Sequence, residues 1–106
     1  MKKAKIEVLK MQKERDWKQF HSPENLAKSI VIESGELLEC FQWNSNYNHD
    51  EAVEELADIL NYCILMADAL NVDLEQIVLD KIEKNKKKYP VEQAKGVSTK
   101  YNKFVE

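Results

Sequence analysis

Glycine and proline are scarce in this sequence, with two of each in 106 residues. Hairpins and tight turns draw on both, so their scarcity argues against an all-β fold. No apolar run approaches the ~20 residues a membrane span needs. The opening stretch Met1-Lys2-Lys3-Ala4-Lys5 leads into more charge rather than an apolar segment, so no secretory signal is expected. Cysteine is limited to Cys40 and Cys63, too far apart for a zinc ribbon or a redox pair. Both have apolar neighbours, so two buried, reduced thiols in a cytoplasmic protein are expected. Histidine is limited to His21 and His49, and neither follows a glutamate by three residues. The Glu-x-x-His pairs of di-iron helical bundles are therefore missing. The most informative absence is of positive charge, since residues 29–80 contain no Lys or Arg.

That middle block carries twelve Asp and Glu, whereas residues 1–28 hold eight basic and four acidic residues and residues 81–106 hold eight Lys and three Glu. Surface helices usually interleave Glu with Lys four residues on, for a few tenths of a kcal/mol per pair. The central helices forgo this. One explanation is a solvated acidic face. The sharper one is that a divalent metal supplies the missing counter-charge, with the basic last third facing a polyanion. With 43% hydrophobic and 33% charged residues, the chain reads as neither disordered nor membrane-embedded. Its length suits a single domain over residues 1–106, with a polar tail over 91–106.

Periodicity predicts an all-α fold of the four-helix-bundle type. The first helix is expected over residues 2–20, with Ile6, Leu9 and Met11 as a weak apolar side. Ser22 and Pro23 then make a cap and first turn for a second helix over residues 23–42, whose apolar positions include Leu26, Ile30, Val31, Leu37 and Leu38. Residues 43–49 are polar and turn-rich, and Asp50 is the expected cap of a third helix reaching Leu70. The apolar arc of this helix, from Val53 and Leu56 through Leu60, Ile64 and Ala67, covers about half its circumference, more than one partner covers. Burial between subunits of a homo-oligomer is the economical outcome. Asp73 is placed to cap a fourth helix that ends before Pro90, with Val72 and Ile77 as its hydrophobic staple.

Glu33 and Glu36 stand one turn apart on the second helix, and Glu55 and Asp58 one turn apart on the third. If these helices pack antiparallel, four carboxylates meet across one seam and repel unless a cation neutralises them. A hard ion with oxygen ligands suits the set, Mg2+ with waters better than an all-protein Ca2+ cage, with Mn2+ as a substitute. Spacing alone is weak support, because acidic helices produce such pairs by chance. On the fourth helix Lys81, Asn85 and Lys88 share a stripe that Tyr89 extends, a row suited to a polyphosphate. Lys84, Lys86 and Lys87 serve equally well as complements of the helix dipole. Trp17, Phe20, His21 and Trp43 lie in or beside loops, where flat rings stack on a nucleobase or fill the joins between helices.

Three segments in order, Arg15-Asp16-Trp17-Lys18-Gln19-Phe20-His21, Glu33-Ser34-Gly35-Glu36-Leu37-Leu38-Glu39-Cys40-Phe41-Gln42-Trp43 and Glu54-Glu55-Leu56-Ala57-Asp58-Ile59-Leu60-Asn61-Tyr62, resemble the MazG-like all-α nucleoside triphosphate pyrophosphohydrolases, most of all the dCTP pyrophosphatase branch. The likeness continues through Asn71-Val72-Asp73, Lys81, Asn85, Lys88-Tyr89-Pro90, Lys95-Gly96 and Lys100-Tyr101. It implies Mg2+-dependent hydrolysis of a (deoxy)nucleoside triphosphate, dCTP or a related pyrimidine, to monophosphate and pyrophosphate. Such a reaction cleans the nucleotide pool. The resemblance assigns the metal to Glu33, Glu36, Glu55 and Asp58, the nucleoside to Trp17, His21, Trp43 and Tyr62, and the phosphates to Lys81 and Asn85. It also implies a homotetramer built from dimers, with neighbouring subunits completing the site, and neither a nucleic-acid polymer nor a membrane as partner. Two departures bear on base preference. The loop is short, with 19 residues from Glu36 to Glu55, and a histidine of some relatives aligns with Val8. A non-catalytic nucleotide-binding module and a helical interaction module on the same fold are the alternatives.

Overall fold

A computed structural model describes residues 1–43 and 46–97, and the described residues are helical with no strand. The tail after Val97, including Lys100 and Tyr101, and the loop positions Asn44 and Ser45 lie outside the described residues. The elements are α1 (Lys2–Glu14), a short 3-10 turn (Lys18–Phe20), α2 (Pro23–Glu39), α3 (His49–Ala69), α4 (Leu74–Lys88) and α5 (Val91–Ala94). The chain forms two compact units, Met1–Leu74 and a second from Glu75 on.

In the first unit α3 is the central element, with α2 packed along it and α1 against it. The pair α2 and α3 runs antiparallel. Cys40, at the end of α2, shares a cleft with Glu51 and Glu54 near the start of α3, whereas Glu33 meets Asp58 farther on. The core lies at one end of this pair, where Leu26 of α2 is wholly enclosed and Ile64, Leu65 and Ala67 of α3 are buried. Complete burial of a leucine contributes about 1.5–3 kcal/mol, so Leu26 anchors the start of α2.

The helix ends explain where the periodicity misleads. α1 stops at Glu14 rather than running to Phe20, because Asp16 takes a left-handed φ of 53°. The Trp17 amide then donates to Gln12 O at 3.0 Å and the Asp16 amide to Lys13 O at 3.1 Å. This pair of bonds is the Schellman closure that usually employs glycine. α3 ends the same way, with Asn71 at φ 57°, the Val72 amide bonded to Ala67 O and the Asn71 amide to Asp68 O. The cap of α3 is Asn48, whose side-chain oxygen accepts from the Glu51 amide at 3.1 Å, in place of the expected Asp50. The Ser22 cap is present, accepting from the Asn25 amide at 3.2 Å with Pro23 following. Asn25 Nδ2 also donates to Phe20 O at 2.9 Å, which ties the 3-10 turn to α2.

Two other expectations change. On α1 the buried side chain is Gln12, while Ile6 is 56% exposed. Cys40 and Cys63 are free and half-buried rather than enclosed. Partial burial raises the pKa of both thiols, and the Glu51 and Glu55 carboxylates add to the effect at Cys40. The broad arc of α3 divides. Ile64 and Ala67 enter the core, whereas Val53, Leu56 and Leu60 remain exposed, as do Val31 and Leu38 on α2.

Candidate active site

Antiparallel packing brings Glu33 of α2 against Glu55 and Asp58 of α3, and one carboxylate oxygen from each lies within 4.8 Å of the others. Glu33 Oε2 and Glu55 Oε2 are buried without a hydrogen-bond partner. Unpaired carboxylate oxygens out of water are costly, and the cost appears as a preference for the proton. Burial first, then the adjacent Glu36 and the charge of Asp58, push Glu33 up to about 7. Burial and Glu36 raise Glu55 as well. Glu36 is exposed at the rim, close enough to act on both.

This donor set fits a small hard cation. It offers converging carboxylate oxygens and no nitrogen or sulfur, and two of those oxygens lack any other partner. A wider acidic cleft adjoins it, bounded by Glu36, Glu39, Cys40, Glu51, Glu54 and Glu55.

On the other side of Asp58 lies a small cavity of about 130 Å³ between α1 and α3. Asp58, Asn61, Tyr62 and Leu65 recur at helical spacing to form the α3 wall, and Val8, Met11 and Gln12 form the α1 wall. Trp17 and His21 close the cavity from the segment that the α1 terminus re-aims. The His21 ring stands edge-on to both Trp17 and Tyr62, with centroids 6.4 Å apart in each pair. Arg15 stacks over Trp17, its guanidinium carbon 5.7 Å from the ring centroid. Asp58 thus belongs both to the carboxylate cluster and to the wall of an aromatic cavity.

Of the residues singled out in the sequence, Glu33, Glu55 and Asp58 converge with Glu36 beside them, and Trp17, His21 and Tyr62 share the cavity. Trp43 lies outside it and is 85% exposed. Lys81, Asn85 and Lys88 lie along α4 and Tyr89 just beyond it, in the second unit. Gln12 and Asn61 are polar wall residues that sequence reasoning passes over. Their signal was positional: Gln12 follows Val8 by one turn, and Asn61 follows Asp58 by three residues.

The MazG-like family model matches residues 28–104. The chain belongs to the MazG-like family. It is 41% identical to dCTP pyrophosphatase 1 of Mus musculus over 83% of this chain and 58% of that protein. It is 40% identical to dCTP pyrophosphatase 1 of Homo sapiens over 86% of this chain and 59% of that protein. The chain thus spans less than two thirds of the length of these curated relatives. A crystal structure of a pyrophosphatase from Archaeoglobus fulgidus is similar at a TM-score of 0.70 and 37% identity, covering 78% of this chain and 85% of that one. Among the described residues no helix is long and apolar enough to cross a membrane.

Proposed function

We propose that this chain hydrolyses a pyrimidine deoxynucleoside triphosphate, dCTP or a close relative, to the monophosphate and pyrophosphate, with Mg2+ as cofactor and Mn2+ as a substitute. The observation that carries the reading is Asp58, at once a member of the carboxylate cluster and part of the wall of the aromatic cavity. A base seated beside Tyr62 places its phosphates next to the cluster. The similar dCTP pyrophosphatases support the same reaction.

Glu33, Glu55 and Asp58 would hold the cation, with Glu36 at its edge. A bound Mg2+ offsets phosphate charge as it builds in the transition state. Glu36, exposed and unencumbered by the core, orients the attacking water and takes its proton. Trp17, His21 and Tyr62 hold the base, and Trp43 contributes a further indole from the loop. Lys81 and Asn85 provide ammonium and amide donors for the phosphates, Lys81 stabilising the departing pyrophosphate, and Lys88 and Tyr89 continue that stripe. The cavity between rings is small, which favours one heterocycle over two.

The functional form is a homo-oligomer, a tetramer of paired dimers in the cytoplasm. The exposed strip of Val53, Leu56 and Leu60 supports assembly, since apolar side chains in a row favour burial against a second copy. Sedimentation at micromolar concentration tests it, and a monomer refutes it. The activity is tested by incubating a panel of dNTPs and NTPs with Mg2+ and resolving the products. dCTP yielding dCMP and pyrophosphate, faster than dATP or dGTP, is expected. Release of orthophosphate, or no turnover of any nucleotide, rejects the reading.

A further inference from the structure

Gln12 is the one buried polar residue among those described, 6% exposed in a cavity wall that is otherwise largely apolar or aromatic. Glutamine is mostly a surface residue, so its burial here calls for a cause. Its side-chain oxygen lies 2.6 Å from His21 Nδ1. A carboxamide oxygen only accepts, so this bond forms when the imidazole carries its proton on Nδ1. Nε2 is then a bare acceptor. It has no hydrogen-bond partner among the described residues, on a ring that forms part of the cavity wall.

We propose that Gln12 is a positioning residue that holds His21 as the Nδ1–H tautomer, so that Nε2 accepts a hydrogen bond from the exocyclic amine of the bound base and selects cytosine over uracil and thymine. Cytosine presents an N4 amine donor where thymine and uracil present the O4 acceptor. An acceptor facing O4 leaves two lone pairs opposed, whereas an acceptor facing N4 is satisfied. The edge-on contacts of His21 with Trp17 and Tyr62 limit its rotation, so the tautomer set by Gln12 is the one the base meets. The inference rests on the nucleotide reading above and deepens it by naming what reads the base edge.

The test begins with 15N-labelled histidine in the whole protein. Long-range nitrogen–proton correlation at neutral pH is expected to show His21 protonated at Nδ1, and protonation at Nε2 overturns the proposal. Kinetics with Mg2+ then compare dCTP with dUTP. Gln12→Leu is expected to raise the KM for dCTP about tenfold, the discrimination of one lost hydrogen bond. It should lower the KM for dUTP, because the released imidazole can turn an Nε2–H donor toward O4. Gln12→Glu, whose carboxylate accepts the same bond, is expected to restore both tautomer and KM. An equal rise for dCTP and dUTP marks a merely structural role and overturns the proposal.

If Gln12→Leu does not fold, the unaltered protein decides with the triphosphate of 2-pyrimidinone deoxyriboside, which lacks the amine. A KM equal to that of dCTP overturns the proposal, and one about tenfold higher supports it. If no nucleotide is turned over, the hydrolase reading fails by itself. The inference is then judged on the tautomer and on whether dCMP binds more tightly than dUMP, equal binding overturning it.

Discussion

The two sides of Asp58 solve the burial of polar groups in opposite ways. In the cavity between α1 and α3, the buried amide of Gln12 is matched by His21, and the rings around it pack edge to face. In the seam between α2 and α3, Glu33 and Glu55 each keep a buried oxygen with no partner, and both resist ionisation. The first region pairs its buried amide within the chain, whereas the second offers a donor set that a cation would complete. Substitutions should therefore act differently on the two sides: in the seam they should remove function and leave the fold, and in the cavity they should weaken substrate binding.

The largest effect is expected at the seam. Glu36→Gln and Asp58→Asn should each lower kcat by on the order of 10²–10³-fold, the scale of losing one electrostatic participant in a transition state. Neither should lower the melting temperature of the metal-free protein, because each removes repulsion rather than a bond. Near-normal turnover in both variants would show that the seam is not the reaction centre.

Next comes the cavity. Trp17→Ala should raise KM more than it lowers kcat, by roughly 5- to 150-fold if a stack contributes ~1–3 kcal/mol. Trp43→Ala should change KM in the same direction by less, since Trp43 stands outside the cavity of this chain. The reverse order would place the base at the loop rather than between α1 and α3.

A smaller effect separates the two regions by pH. Glu33 titrates near 4.5 in the unfolded chain and near 7 in the fold, so between these values the folded state binds more protons. Stability is then fully present below about pH 4.5 and is lost as pH rises through about 7. Melting curves in a chelator should fall across that window. Glu33→Gln should flatten the fall, and Mg2+ should raise the melting temperature most on the alkaline side, where it no longer competes with the proton. A curve that rises with pH across the window would contradict the account of the seam.

Much of this was legible in the sequence, and the gaps have physical causes. Helical spacing located α2 and α3, and the Glu33/Glu36 and Glu55/Asp58 pairs placed the seam between them, because carboxylates one turn apart necessarily share a face. The end of α1 was not legible, because a left-handed aspartate at 16 does what the eye seeks from glycine. Gln12 was hidden for a related reason: hydrophobic periodicity counts apolar residues, and a polar residue satisfied by a histidine nine positions away carries no such mark. The breadth of the α3 arc was legible, but not which part enters the core, since that depends on how α1 and α2 divide its surface.

The smallest expected effect tests that account of the helix ends. Asn71→Gly should stabilise the protein by at most ~1 kcal/mol, because glycine adopts the observed φ of 57° without a Cβ penalty. Activity should be unaffected. A loss of stability would mean that the Asn71 side chain contributes more than its backbone conformation.

The contrast between the two sides of Asp58 is tested most directly by a crystal of the protein grown with Mn2+ and measured at the manganese absorption edge. The account predicts an anomalous peak coordinated by Glu33, Glu55 and Asp58. A peak confined to the open cleft of Glu39, Glu51 and Glu54, or none at saturating Mn2+, would contradict it.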